Sequence, residues 1–378
     1  MSFFTTYSKK LENLIAGVIF LITFAVYFST MAPTVSFWDT GEFIATSHIL
    51  GVPHPPGSPL FLLVGKFFSL IPISSDIAFR VNIFSPIISA LTISLLFLIC
   101  NQFIDRIDPS DNNKFFKMWS SLTASLTFAF THSHWFNAVE TEVYAFSGFM
   151  TALVVFLIMR WSQKIHDSNH IIYLIFISYI IGLATGLHLL NLLTIPFIGL
   201  IIYFSIGKLS TKNLILTFIF SLIIFFGIQS VIIKGLPQLT ASLGLVGLSF
   251  LIILWVIATI YSIKSNKTFL SIFLSSVLLI VIGYSTYFAI FIRSGQNPNI
   301  DENNPETISE AISYLNRDQY GQMTILPRKF DNLPSKVSIV GSPADDNSQF
   351  SFDQELDYML HDIPSQASFL WNYQIKKM

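Results

Sequence analysis

The chain has 378 residues, 52% of them hydrophobic and 11% charged, with a formal net charge of -1. Soluble domains carry about 25% charged residues, so this composition excludes a disordered chain and argues against an ordinary cytosolic enzyme. No global basic field is present to attract nucleic acid, and the single Cys100 excludes an internal disulfide framework and a multi-cysteine metal site.

The charge is unevenly spread. Of 22 acidic residues, 12 lie from Ser294 onward, in a stretch rich in Asn, Pro and Ser. Before it run long apolar segments. The expected organisation is a membrane domain over 1–293 and a polar segment over 294–378, read as extracytoplasmic and as the possible start of a longer, truncated region.

A helix needs about 20 apolar residues to cross a ~30 Å hydrocarbon core. Nine segments qualify: 12–32, 82–104, 117–134, 142–161, 171–188, 190–207, 213–233, 241–262 and 268–292. Ser58–Ile73 is also apolar, but Pro56, Pro59 and Pro72 bracket it and Lys66 splits it, so a helix lying along the interface is expected there. With the N-terminus inside, eleven Lys and Arg fall in cytoplasmic loops (among them Lys9, Lys10, Arg106 and Lys164) against Lys66, Arg80 and Lys234 outside. An odd number of spans then places the C-terminal segment outside. That segment predicts one helix near Glu306–Arg317. The fold class expected is an all-α polytopic bundle of about nine transmembrane helices.

The unusual residues gather in the expected outer loops. The first reads Trp38-Asp39-Thr40-Gly41-Glu42, then Gly51-Val52-Pro53-His54-Pro55-Pro56-Gly57-Ser58-Pro59. Asp39 and Glu42 are three apart, which on a helix puts both carboxylates on one face. Two such acids at a membrane surface raise one another's pKa, which suits one to act as a base. A solvated loop with a proline turn is the plainer alternative. The second outer loop carries His132, His134, Asn137, Glu140, Glu142 and Tyr144; its acids read plainly as solvated loop carboxylates, with helix N-terminal charge compensation as part of their role. His188 lies at the end of the fifth segment, as a ligand or as a hydrogen-bonded packing residue. Arg293 closes the last span, placed to bind a lipid phosphate or to snorkel. No phosphate loop, dinucleotide fingerprint, HExxH or GxSxG is present. His132 and His134 give only a weak metal spacing.

Residues Phe37-Trp38-Asp39-Thr40-Gly41-Glu42-Phe43 and Gly51 to Phe61 resemble the signature of the transmembrane protein 260-like family of protein O-mannosyltransferases, glycosyltransferase family 117 of the GT-C superfamily. Ala138-Val139-Glu140-Thr141-Glu142-Val143-Tyr144-Ala145 resembles its second outer loop. Gly186-Leu187-His188 and the stretch from Asn297-Pro298 to Tyr314-Leu315-Asn316-Arg317-Asp318-Gln319-Tyr320-Gly321 are similar to its bacterial members. The resemblance implies a GT-C-type bundle in a bacterial cytoplasmic (inner) membrane. It implies transfer of a mannose-like hexose from a polyprenyl-phosphate sugar to Ser or Thr of an exported protein. Asp39 would be general base and Glu42 would orient the acceptor or tune Asp39. His54 and Arg293 would hold the donor phosphate, and Glu142 and His188 would line the pocket. No metal and no other cofactor is expected; membrane lipid, the lipid-linked donor and the acceptor protein are the expected partners. The competing readings are a transporter or lipid flippase using the same carboxylates, and a non-catalytic membrane assembly factor.

Overall fold

The computed structural model describes residues 9–108, 114–206 and 209–321, together with the main chain of 336–339 and 354–357. Contacts group the chain into one unit through Gln319 and a second from Tyr320 onward. In the second unit two short strands, Lys336–Ile339 and Gln354–Asp357, pair antiparallel.

The first unit is helical. In chain order it runs α1 (Lys9–Thr30), α2 (Thr40–Ile49), α3 (Pro59–Leu70), α4 (Ile77–Asn82), α5 (Phe84–Ile107), α6 (Lys114–Ala129), α7 (His132–Ala138) and α8 (Val143–Gln163). It continues with α9 (Ile171–Thr185), α10 (Thr194–Ile206), α11 (Thr211–Gly227), α12 (Gly235–Lys264), α13 (Thr268–Tyr284), α14 (Phe288–Ser294) and α15 (Ile308–Asn316).

Among the described residues six helical runs are long and apolar enough to cross a membrane, so this is an integral membrane protein. The sequence predicts nine spans. Among the described residues each of the nine segments is centred on helix, but α6 has 16 residues and α9 has 15, below a full crossing. Segments 213–233 and 241–262 lie inside one helical run, Thr211–Lys264, of 54 residues. That run contains a π turn at Ile228–Ile233 and a break at Gly244, whose φ is 69°.

Burial separates centre from periphery. The apolar window of Ile77–Ile107 is 61% buried and that of Thr211–Lys264 only 11%, so α5 is central and α11–α12 present their Leu, Ile and Phe outward. Helices α9 and α13 touch through their backbones: a Cβ on Gly182 would collide with the main chain of Ile280, and one on Gly283 with that of Leu183. Small residues allow this approach where lipid supplies no hydrophobic drive between helices.

The expected interfacial helix is α3. Its 12 residues span about 18 Å at 1.5 Å per residue, too short to cross. Leu63, Phe67 and Leu70 stay exposed on it. The expected helix near Glu306–Arg317 is α15, begun by a capping box in which Thr307 and Glu310 satisfy each other's main-chain N–H. Residues 294–319 belong to the first compact unit, past the composition boundary at 294. The lone Cys100 is a partly buried free thiol on α5.

Candidate functional site

The site is built at the end of the bundle where α1 stops and α5 and α8 begin. There the main-chain N–H of Ala32 donates to Val139 (2.8 Å), joining the two loops that carry the acids. Asn82 fastens the same junction: its fully buried amide donates to Ala32 and Thr34 (both 2.9 Å), and its oxygen accepts from Thr141.

Asp39 occupies the position before α2 but makes no capping hydrogen bond, and its side chain is 58% exposed. One turn on, Glu42 faces the proline-rich loop. Its Oε1 accepts from the main-chain N–H of His54 (2.5 Å), and its Oε2 lies 2.8 Å from His54 Nδ1. His54 Nε2 lies 4.0 Å from Asp39 Oδ2. The helical spacing read from the sequence thus does place Asp39 and Glu42 together, with His54 between them.

Electrostatics follow from that geometry. The Glu42 hydrogen bond raises the His54 pKa against the opposing effect of burial, and the Asp39 and Glu302 charges add to the rise. Burial pushes Glu42 up, but its bonds to His54 outweigh that and hold it below the ordinary value. The contact thus favours the imidazolium form of His54 and the carboxylate form of Glu42.

The second acidic pair is buried. Glu140 is 4% exposed and Glu142 is 7% exposed. Glu140 Oε2 accepts from Ser36 (2.8 Å), while its Oε1 is buried without a partner. Burial raises Glu142 to about 7, and the Asp39 and Glu140 charges add to it. The main-chain N–H groups of Val143 and Asp39 oppose the shift, which places Glu142 beside Asp39.

His188 stands apart from this cluster. It begins the short helical turn Leu189–Leu193, with Nδ1 accepting from Leu190 (3.2 Å) and its ring against Tyr144. Burial, with the charge of Arg317, lowers its pKa. Arg293 donates to the carbonyls of Leu50 (2.7 Å) and Ile49 (3.2 Å) and to Gln296, so it holds the end of α2. His132 and His134 do not pair: one stacks on Phe136, the other packs against Phe128 and Tyr27.

Two residues escaped the sequence reading. Glu302 reaches the electrostatic neighbourhood of Glu42, His54 and Asp39, and burial raises its pKa. Tyr314, 1% exposed, donates to the carbonyl of Pro53 (2.5 Å). Both lie more than 240 positions beyond the loop they meet, in the stretch that resembles the bacterial members, where no pattern gave either residue a role. Phe37 and Trp38 flank Asp39 with more than 80% of their surface exposed, and Trp38 takes a φ of 59°.

The cluster can accept a proton at Asp39, place positive charge at His54 and hold a second acid near neutrality at Glu142. Asp39, Glu42 and His54 also offer ligand atoms within 4.8 Å of one another, a donor set that suits a divalent cation. In the arrangement described, however, both Glu42 oxygens are engaged with His54. An apolar cavity of about 240 Å³ lies between α12, α13, α14 and α15, lined by residues that include Leu248, Tyr284, Tyr287, Phe291 and Ala311.

Residues 39–212 match the family model described as the Protein O-mannosyl-transferase TMEM260 N-terminal domain. The match begins on Asp39 and includes Glu42, His54, Glu142 and His188. A relative in Dictyostelium discoideum, Protein O-mannosyl-transferase tmem260, is 29% identical over 201 residues, covering 50% of this chain and 23% of that protein. The Mus musculus Protein O-mannosyl-transferase TMEM260 is 30% identical over 146 residues, covering 38% of this chain and 19% of that protein. The aligned part thus spans less than a quarter of either curated relative. No solved structure matches the chain.

Proposed function

We propose that this chain, whose residues 39–212 carry the TMEM260-type N-terminal domain, is a membrane glycosyltransferase. It moves a mannose-like hexose from a polyprenyl-phosphate sugar to Ser or Thr hydroxyls of exported proteins. The observation that carries the reading is the state of Asp39: an exposed carboxylate with no capping duty, beside a His54 fixed by both oxygens of Glu42.

Asp39 takes the proton from the acceptor hydroxyl. The freed oxygen attacks the anomeric carbon, the bond from that carbon to the phosphate oxygen breaks, and polyprenyl phosphate leaves. A leaving phosphate needs positive charge, and the His54 imidazolium supplies it. Glu42 favours that charge state and fixes the ring's orientation. Glu142 borders the acceptor side, and the exposed rings of Phe37 and Trp38 offer a face for sugar or peptide. His188, whose ring packs on Tyr144 two residues beyond Glu142, lines the pocket in this reading. The apolar cavity beside α15 suits an isoprenoid chain. The names of the relatives support mannose as the sugar and a protein as acceptor.

The proposed setting is a GT-C-type bundle in the bacterial inner membrane, with the N-terminus inside. The excess of Lys and Arg in alternate loops supports that orientation.

The test is sugar transfer by the purified chain in liposomes. Polyprenyl-phosphate hexoses and Ser/Thr peptides are supplied and products are read by mass spectrometry. A gain of one hexose is expected with wild type. Asp39→Asn, shown to be folded by its melting temperature, loses it by roughly 100-fold or more. Full activity in Asp39→Asn overturns the base assignment.

A further inference from the structure

We propose that Tyr314 is a positioning residue for the His54–Glu42 pair, acting from the segment that follows the last apolar run. The proposal rests on the transferase reading for its activity arm.

That segment straps the proline-rich loop at successive points. Arg293 donates to the carbonyls of Leu50 and Ile49. Val52 pairs in parallel with Asp301: its N–H donates to Ile300 (2.9 Å), and Glu302 N–H donates back to Val52 (3.0 Å). Tyr314 on α15 then reaches the Pro53 carbonyl. Gly57, at a φ of 92°, clears the Tyr314 ring; a Cβ there would stand 2.5 Å from the hydroxyl.

The contact at Pro53 differs in kind from the others. The Pro53 carbonyl and the His54 N–H belong to one peptide group, which is planar. Tyr314 holds its oxygen at 2.5 Å, and Glu42 Oε1 holds its N–H at 2.5 Å. One rigid plate is therefore gripped from both sides, and its tilt aims His54. Hydrogen bonds in such a chain polarise and strengthen one another. The loop offers little else to fix that plate, because Pro53, Pro55, Pro56 and Pro59 have no N–H to donate. Tyr314 touches no reacting atom and acts through His54.

The decisive variant is Tyr314→Phe, which keeps the ring and removes the hydroxyl. Amide hydrogen exchange is measured on the full chain in nanodiscs. In a peptide covering 53–57 only His54 and Gly57 carry exchangeable amides. Exchange there is expected to accelerate about fivefold, the change one ordinary hydrogen bond carries. Val52, held by Ile300, stays at its wild-type rate as the internal control. In the transfer assay kcat falls by a similar factor while KM for the donor holds. On a His54→Ala background, Tyr314→Phe costs nothing further, because its effect runs through His54. Unchanged exchange over 53–57 overturns the proposal, as does a kcat loss that persists in full without His54. If no variant transfers sugar, the transferase reading falls alone, and the exchange result still decides the role of Tyr314.

Discussion

Two pairs of acids stand a few ångströms apart in this molecule and do opposite things. Asp39 and Glu42 sit at the start of α2, Asp39 exposed and Glu42 drawn toward its ionised form by His54. Glu140 and Glu142 are almost wholly buried and drawn toward the neutral form. Residue type is nearly the same in each pair, so environment sets the role. Divergent pKa values in one site are a pattern that acid–base enzymes use to separate a base from a partner acid.

The largest test of that contrast is Glu42→Gln. It removes the charge that raises the His54 pKa, and transfer is expected to fall roughly 10–100-fold. The sign of the pH effect is fixed: Glu42 raises the His54 pKa, so without it the alkaline limb of the rate profile moves to lower pH. A limb that stays in place separates His54 from the chemistry. Glu140→Gln, by contrast, leaves that limb unmoved.

Next in size is Asn82→Ala, which strikes both pairs at once by cutting the tie between their loops. Three groups lose their partner: the part-buried carbonyls of Ala32 and Thr34 and the buried hydroxyl of Thr141. A loss of about 2–3 kcal/mol is expected, read as the shift in unfolding midpoint of the purified chain in detergent. A shift near zero means that the junction is held elsewhere.

The smallest effect concerns the buried pair alone. The folded pKa of Glu142, about 7, lies above its ordinary 4.5, so between those values the folded chain binds more protons than the unfolded one. Stability therefore falls as pH rises from about 4.5 toward 7 and levels off beyond. Glu142→Gln flattens that slope, by on the order of 2 kcal/mol at neutral pH. Melting temperature against pH, wild type beside variant, measures it. Parallel curves would show that Glu142 is ionised throughout.

Much of this was legible in the sequence, for physical reasons that can be named. Asp39 and Glu42 are one helical turn apart, and α2 makes that spacing a shared face. The apolar runs announce helices, and the prolines around α3 announce a short one. The number of crossings was not legible in the same way. Composition marks 213–233 and 241–262 as two segments, yet helix continues between them through a π turn, and the break falls at Gly244. The duties of Arg293 and His188 were hidden because each bonds to main chain, which no residue pattern encodes. Glu302 and Tyr314 were hidden because only the closed fold carries them to the first loop.

The bond between Tyr314 and Pro53 joins residues 261 positions apart. At 5–20 residues per second a ribosome needs roughly 15–50 s to cover that distance. Through that interval α1 and its acidic loop are already made, while the grip on the His54 peptide is not. The order of synthesis thus keeps the cluster unfinished until the last apolar run has emerged, and a chain abandoned before then carries the acids without their alignment.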